Sequence, residues 1–192
     1  MFLFTKELPR VISVCGEDFE INTDFKVWIE FDRLMTESSL SDSDKIAKIL
    51  NLCLKDKILP KRLDETLFSL FKFYSCFEDE KSGSKGKEKK SKRVISFSHD
   101  APYIYSAFYG QYGIDLLSSN LHWFCFRALL DGLTDEHKLI SIIGYRKAEL
   151  SDVKDAKRRA FLKKMKAVYS LPDRRTEEQI EKDTLESLSK VI

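Results

Sequence analysis

Apolar and polar positions change period several times along the chain, and each change predicts an element. Between Arg10 and Ile21 the apolar residues Val11, Ile12 and Val14 form β-type runs interrupted by Cys15-Gly16-Glu17-Asp18, which predicts a small hairpin turning at Gly16. From Phe25 the period becomes helical. Phe25, Trp28, Ile29, Phe31, Leu34 and Met35 recur behind the capping sequence Asn22-Thr23-Asp24, which predicts a first amphipathic helix. A second helix is expected from Ser41 through the run IAKILNLCLK, with Asp42 and Asp44 well placed against its positive N-terminal end. Pro60 suits the first turn of a third helix, whose Leu63, Leu67, Leu70, Phe71 and Tyr74 mark one face and whose Phe68, Phe73 and Phe77 widen it. So broad an aromatic surface predicts burial from more than one side.

The pattern breaks at Lys81. Residues 81–93, KSGSKGKEKKSKR, hold six Lys, one Arg, one Glu, two Gly, three Ser and no apolar residue. Such a stretch has nothing to bury and is expected to be a mobile connector between two packed halves. Helical spacing returns after VISFSHD, where Ser98 or Asp100 can cap a fourth helix that carries Tyr103, Ile104, Ala107, Phe108 and Tyr112 and closes at Gly113. Residues 118–120 supply caps for a fifth, LHWFCFRALLDG, which is apolar nearly all round, is therefore expected at the centre, and ends at Gly132. Thr134 opens a sixth that Gly144 should stop. Ser151 is expected to cap a long basic helix whose Val153, Ala160, Phe161, Met165 and Val168 turn inward until Leu171-Pro172 ends it. Thr176 opens a capping box, TEEQ, ahead of a charged segment carrying Ile180, Leu185, Leu188 and Val191.

The predicted fold class is mainly α: a helical bundle of about seven to eight helices with a small N-terminal β-hairpin and a disordered basic linker. Its organisation reads as hairpin plus helices over residues 1–80, a flexible Lys-rich linker over 81–97, a C-terminal helical module over 98–172, and a charged helix or tail over 173–192.

Composition agrees with long regular elements, since Gly 7 and Pro 4 are few breakers for 192 residues. Charge needs to be divided before it says anything. The total of 33 Lys+Arg against 31 Asp+Glu gives +2, but residues 81–93 carry +6, which leaves 26 basic and 30 acidic residues elsewhere, or −4. A cationic arm on an acidic body could meet phosphates or an acidic protein surface. It contains no aromatic residue for base stacking and lies inside the chain, so a solvated linker is the expectation and nucleic acid is not an expected partner. Four dispersed cysteines without a CxxC pair suit a reducing, cytoplasmic setting. The start MFLFTKELPR lacks the pattern of a signal peptide, and no apolar run approaches ~18 residues, so no membrane association is expected.

Chemistry is sparse. The sequence has no P-loop, GxGxxG, HExxH, GxSxG or paired zinc-knuckle spacing, so no catalytic activity and no cofactor are expected. His122 and Cys125 stand one helical turn apart and could supply two zinc ligands, but the spacing of His99, His137 and the other cysteines does not demand a site, and no metal is predicted. Asp18, Glu20, Asp24 and Glu30 are carboxylates of the kind any helical surface carries, with no sign of an enclosing cleft. Aromatic residues are the stronger signal. Tyr103, Tyr105, Tyr109 and Tyr112 crowd one short helix, and Trp123, Phe124 and Phe126 follow on the next; Tyr and Trp bury large areas at low entropic cost and dominate interaction hot spots. Tyr105 and Tyr109 lie opposite the Ile104 and Phe108 side. With His122 and Trp123 they are the candidate partner-binding residues.

Taken in order, INTDFKVWIEFDRL, the basic break, SFSHDAPYIYSAFYGQYGIDLL, LHWFCFRALLDGL and YRKAELSDVKDAKRRAFLKKMKAVYSLP resemble the gene-product-fifteen family of tailed phages and prophages of Gram-positive bacteria, from about Leu8 to Pro172. Phe124 departs from the pattern, standing where a second tryptophan is expected after Trp123. The resemblance implies a gene position between those for the major tail protein and the tape-measure protein of a long non-contractile tail. It implies the role of a tail-assembly chaperone that coats the tape-measure protein, helps recruit tail-tube subunits and is absent from the finished particle. The expected partners are therefore the tape-measure and major tail proteins, with self-association, in the host cytoplasm. A structural tail-completion subunit and a nucleic-acid-binding regulator, the latter resting on residues 81–93 and Lys157-Arg158-Arg159, are the alternatives.

Overall fold

The computed structural model describes residues 7–37, 39–55, 62–77 and 93–172. It opens with the predicted hairpin, β1 (Val11–Val14) against β2 (Glu17–Glu20), antiparallel with Val11 opposite Glu20 and Val14 opposite Glu17. The two loop residues, Cys15 at φ 52° and Gly16 at φ 83°, are both left-handed. That mirror-image turn matches the twist of the two strands, and glycine enters it without penalty. Ile12, Val14 and Phe19 point into the core, so the alternation of the strands is used on one face only.

Seven α-helices follow among the described residues. In α1 (Phe25–Thr36) the Asp24 carboxylate accepts the Lys26 N–H at 2.8 Å, and Phe25, Trp28, Phe31 and Leu34 form the buried stripe. Helix α2 (Asp42–Cys53) is capped by the Ser41 hydroxyl, which accepts the Asp44 N–H, and it buries Ile49, Leu50 and Cys53. Asp24 belongs to the capping sequence expected ahead of α1, and α2 begins next to Ser41, where the sequence places its start.

Helix α3 (Leu63–Tyr74) corrects the expected face. Its buried residues are Thr66, Leu70 and Phe73, while Leu63, Phe68 and Phe71, and Phe77 beyond its end, are exposed among the described residues. The helix is set by the seat of Phe73 against Trp28 (ring centroids 4.6 Å) and by contact with β1, where Ser69 Oγ donates to the Ser13 carbonyl. Pro60 lies outside the described residues.

Helix α4 (Ala101–Tyr112) ends where predicted, with Gly113 left-handed at φ 65°. Helix α5 (Trp123–Asp131) buries Trp123, Phe124, Phe126 and Leu130. Its N-cap is His122 rather than any of residues 118–120, as the imidazole takes the Phe124 N–H that a Ser or Asn would otherwise accept. Helix α6 (Lys138–Lys147) passes through Gly144, which was expected to stop it; Gly144 keeps its carbonyl in the helix ladder, bonded by the Ala148 N–H at 3.0 Å. A 3-10 turn at Leu150–Asp152 precedes α7 (Ala156–Val168), capped by Asp155 and not by Ser151. No residue of α7 is buried: Phe161 and Val168, expected inside, are 50% and 60% exposed, and Leu162, Met165 and Lys166 are the half-buried ones.

One aromatic core joins the residues before and after the Lys-rich segment. Phe25 stacks on Phe126 at 4.7 Å, Phe126 stacks on Phe108 at 5.1 Å, and Trp28 lies 6.5 Å from Trp123. Residues 81–92 of the predicted linker lie outside the described residues, whereas Ser96 and Phe97 at its expected end are buried in this core. Asp100, with no exposed surface, accepts two bonds from the Arg146 guanidinium at 2.7 and 2.8 Å and one from the Ser96 N–H at 2.9 Å. That pair fastens the start of α4 to α6. The charged segment 173–192 lies outside the described residues.

Candidate protein-interaction surface

The surface feature best suited to hold another molecule is an apolar groove of about 440 Å³ between α1 and α4. Its floor is Phe97, Ile104 and Phe126, its walls are Ile29 and Tyr105, and its mouth is formed by Lys26 and Leu117. Leu117 is 78% exposed, the most exposed of the large apolar residues described. Its position is fixed rather than loose. The Lys26 ammonium donates to the Leu117 carbonyl at 2.9 Å, and the Asp115 carboxylate accepts both the Leu117 N–H and the Ser118 hydroxyl at 2.9 Å. Those two bonds lower the Asp115 pKa below the ordinary carboxylate value, so the turn keeps a charge beside the groove.

Two of the predicted partner-binding residues edge this groove. Tyr105 lines it and stacks on Tyr109, with ring centroids 6.1 Å apart and planes 14° apart. Tyr109 is 59% exposed. The Tyr105 phenol is pushed above its ordinary pKa, first by desolvation and then by the Asp115 charge, so it remains a neutral donor. The result is an apolar trough with a cation at its mouth and a stacked tyrosine pair at its edge.

The other two candidates do a different job. Trp123 has no exposed surface: it donates Nε1–H to the Tyr74 carbonyl at 2.8 Å and stacks on Tyr74 and Phe126. It offers a partner nothing, because a ring with this many neighbours at the start of the central helix is held inside. His122 is half-buried, its Nδ1 accepting the Phe124 N–H at 3.1 Å and its Nε2 bonded to the Pro9 carbonyl at 2.9 Å. Burial lowers its pKa, which matches a neutral ring with the proton on Nε2. Both ring nitrogens are thus engaged and neither is left for Cys125 or a metal. Among the described residues there is no group of three or more His, Cys, Asp or Glu placed to hold a metal ion.

Periodicity gave no sign of a junction at the most specific sequence blocks. Residues 21–25, INTDF, run between two other stretches of backbone. The Asn22 N–H donates to the Cys53 carbonyl at 2.7 Å; on the other side the Phe25 N–H donates to the Leu121 carbonyl at 2.9 Å and the Trp123 N–H to the Thr23 carbonyl at 2.7 Å. Isolated bridges Ile21–Leu54 and Asp24–His122 mark the same crossing. INTDF and LHW are therefore one structural clasp. Phe124, in place of the expected tryptophan, fills it from below against Phe73 at 4.7 Å.

A second cavity, about 690 Å³, opens between α1, α5 and α6 over Ile95, Leu133 and Ile140, with Arg127 and Lys147 at its edge. Inside it Asp32 accepts the Tyr74 hydroxyl at 2.8 Å and Arg93 Nη2 at 2.5 Å. Burial, and then the Asp32 charge, raise the Tyr74 pKa, so this hydroxyl acts as a fixed donor.

The fold and this groove define a mainly helical, single-core protein with an apolar, tyrosine-edged trough on its surface. The chain belongs to the bacteriophage Gp15 protein family, whose model matches residues 4–171. Membership marks it as a bacteriophage protein with a structural or assembly-related role. No curated protein and no solved structure matches it. Among the described residues no helix is long and apolar enough to cross a membrane.

Proposed function

We propose that this protein is a tail-assembly chaperone of a long-tailed phage. It holds apolar helical stretches of the tape-measure protein in the host cytoplasm, helps bring major tail subunits to them, and leaves before the particle is complete. It works by binding, without catalysing a reaction. The observation that carries this reading is the α1–α4 groove, where exposed Leu117 stands at the mouth of a preformed apolar trough beside the Tyr105–Tyr109 stack. A long tape-measure helix presents apolar side chains at i, i+3, i+4 and i+7, the pattern that a hydrophobic groove receives. The polar mouth, with Lys26 and Asp115, favours a modest and reversible interface over a permanent seam. Exposed Phe68, Phe71 and Phe77 on and after α3 supply further apolar area for self-association.

Co-expression with helical tape-measure fragments tests the reading. The wild-type chain should retain fragments, and Leu117→Asp, which changes an exposed side chain and leaves the fold intact, should lose them. Removing one buried leucine contact costs about 1.5–3 kcal/mol, or roughly 10- to 100-fold in affinity. Mass spectrometry of purified particles should find the protein missing. Wild-type chain that captures no fragment, or that is present in particles at a structural copy number, would replace this reading with a tail-completion subunit.

A further inference from the structure

The cavity between α1, α5 and α6 is larger than the groove, about 690 Å³ against 440 Å³, and Phe97 lines both, so the two lie on either side of one ring. Its volume falls within the roughly 300–1,000 Å³ of small-ligand sites. The wall is apolar at Ile95, Leu133, Ile140 and Ile143. Its charge does not balance: Arg93, Arg127 and Lys147 stand against Asp32 and Asp131, three cations to two carboxylates, which leaves one positive charge over. Lys147 and Asp131 are exposed at the rim and offset each other, so the surplus belongs to the two arginines.

Arg93 is committed on one side. Its Nε donates to the Ile95 carbonyl at 2.8 Å and its Nη2 to Asp32, whose other oxygen already accepts the Tyr74 hydroxyl. Its Nη1 is buried and makes no hydrogen bond among the described residues. A buried donor without an acceptor costs free energy, and native structures rarely leave one. Arg127 is half-buried, its guanidinium 5.6 Å over the Trp123 ring, with no hydrogen bond or ion pair among the described residues. Burial raises the Tyr74 pKa most, and the Arg127 and Arg93 charges act against it, so both guanidiniums stand within electrostatic reach of one hydroxyl in the cavity wall. Planar forks of N–H donors suit the two coplanar oxygens of a carboxylate.

We propose that this cavity binds a carboxylate carried on an apolar body, with the carboxylate at Arg93 Nη1 and the Arg127 guanidinium and the body against Ile95, Ile140 and Ile143. The apolar wall selects against an inorganic anion, whose remaining oxygens would meet no donor there. A free small acid and the C-terminal carboxylate of a peptide with an apolar last residue share this chemistry. The site does not depend on the groove or on what the groove holds.

Methyl and arginine NMR of the full chain, titrated with hexanoate, tests this. Hexanoate should shift the Ile95, Ile140 and Ile143 methyls together with the Arg127 Nε–H. It should bind about tenfold more tightly than hexanamide, which keeps the body and loses the charge, and than acetate, which does the reverse. A peptide ending in Leu-Leu with a free carboxylate, compared with its C-terminal amide, forms the second arm; a preference for the acid in either arm supports the site, and the tighter acid names the source. Because the Arg127 side chain makes no hydrogen bond in the fold, Arg127→Gln removes the charge without breaking a bond elsewhere. It should weaken acid binding about five- to tenfold, and Arg127→Lys should recover part of the loss. Equal affinity for acid and amide in both arms, full affinity in Arg127→Gln, or shifts confined to Ile29 and Leu117 of the groove would overturn the proposal. Acetate binding as tightly as hexanoate would overturn it too, by reducing the site to an adventitious ion only.

Discussion

Replacing Asp100 with alanine removes the partner of a guanidinium that the fold has already taken out of water. The Arg146 side chain is 6% exposed and that of Asp100 is fully buried. The substitution abolishes the two bonds from Arg146 to the carboxylate and leaves the cation with the Val94 and Tyr169 carbonyls, at 2.9 and 2.6 Å. Carbonyl oxygens solvate a cation but do not neutralise it. Breaking a buried pair from one side costs about 3–5 kcal/mol, a large share of a total stability of roughly 5–15 kcal/mol. Arg146→Met should be costly for the mirror reason, stranding a carboxylate with the Ser96 N–H as its remaining donor and freeing the carbonyls of Val94 and Tyr169. In the double variant neither charge remains, so its destabilisation should fall short of the sum of the two by about 2 kcal/mol or more. Urea denaturation followed by circular dichroism measures all four species, with the midpoint moving and the slope constant if the native state is otherwise kept. A loss below about 1 kcal/mol for Asp100→Ala, or strictly additive single variants, would refute the claim that this pair fastens α4 to α6.

Further outcomes follow from single contacts. His122→Ala removes the α5 cap and the bond to Pro9 and should cost about 1–2 kcal/mol by thermal or urea unfolding, with His122→Asn restoring the capping part. Because burial holds the folded-state pKa of His122 below its unfolded value, its neutral form favours the fold; stability should be complete above about pH 6.5 and fall as pH drops through the folded pKa, and the fall should be smaller in His122→Asn. Gly113→Ala should cost about 1 kcal/mol by melting temperature, since the left-handed φ of 65° penalises any Cβ although no atom stands within 4 Å of it. Trp123→Phe should destabilise by about 1–3 kcal/mol in urea, from the lost indole bond to the Tyr74 carbonyl and the space left behind.

Local signals carried the hairpin and several helix ends, because each depends on a few adjacent residues. Cys15-Gly16 turns the strands, Asp24 and Ser41 accept the first free N–H groups, and Gly113 takes the left-handed position. Several of the failures depend on what is distant in sequence. Helix α3 has apolar residues on more than one side, and only the place of Trp28 and of β1 decides that Phe73 goes in and Phe68 stays out. Gly144 looks like a stop until Arg146, two residues further along the same helix, is seen to bond Asp100. His122 replaces a Ser or Asn cap because its ring spans from the Phe124 amide to Pro9, a tie between residues far apart in the chain. At the groove, Tyr105 and Tyr109 were legible from their position opposite Ile104 and Phe108. Leu117 was not, since an isolated leucine in a turn carries no periodicity, and Trp123, a candidate partner residue on the helix expected at the centre, is fully buried, since a large aromatic side chain serves a hot spot and a core alike.

The most direct measurement of the central claim is an exchange footprint of the full chain with a helical tape-measure fragment bound. The account predicts new protection confined to residues 25–29, 101–105 and 115–118, the two walls and the mouth of the groove, and its loss in Leu117→Asp. Binding that leaves those residues unprotected, or that survives Leu117→Asp undiminished, would contradict it.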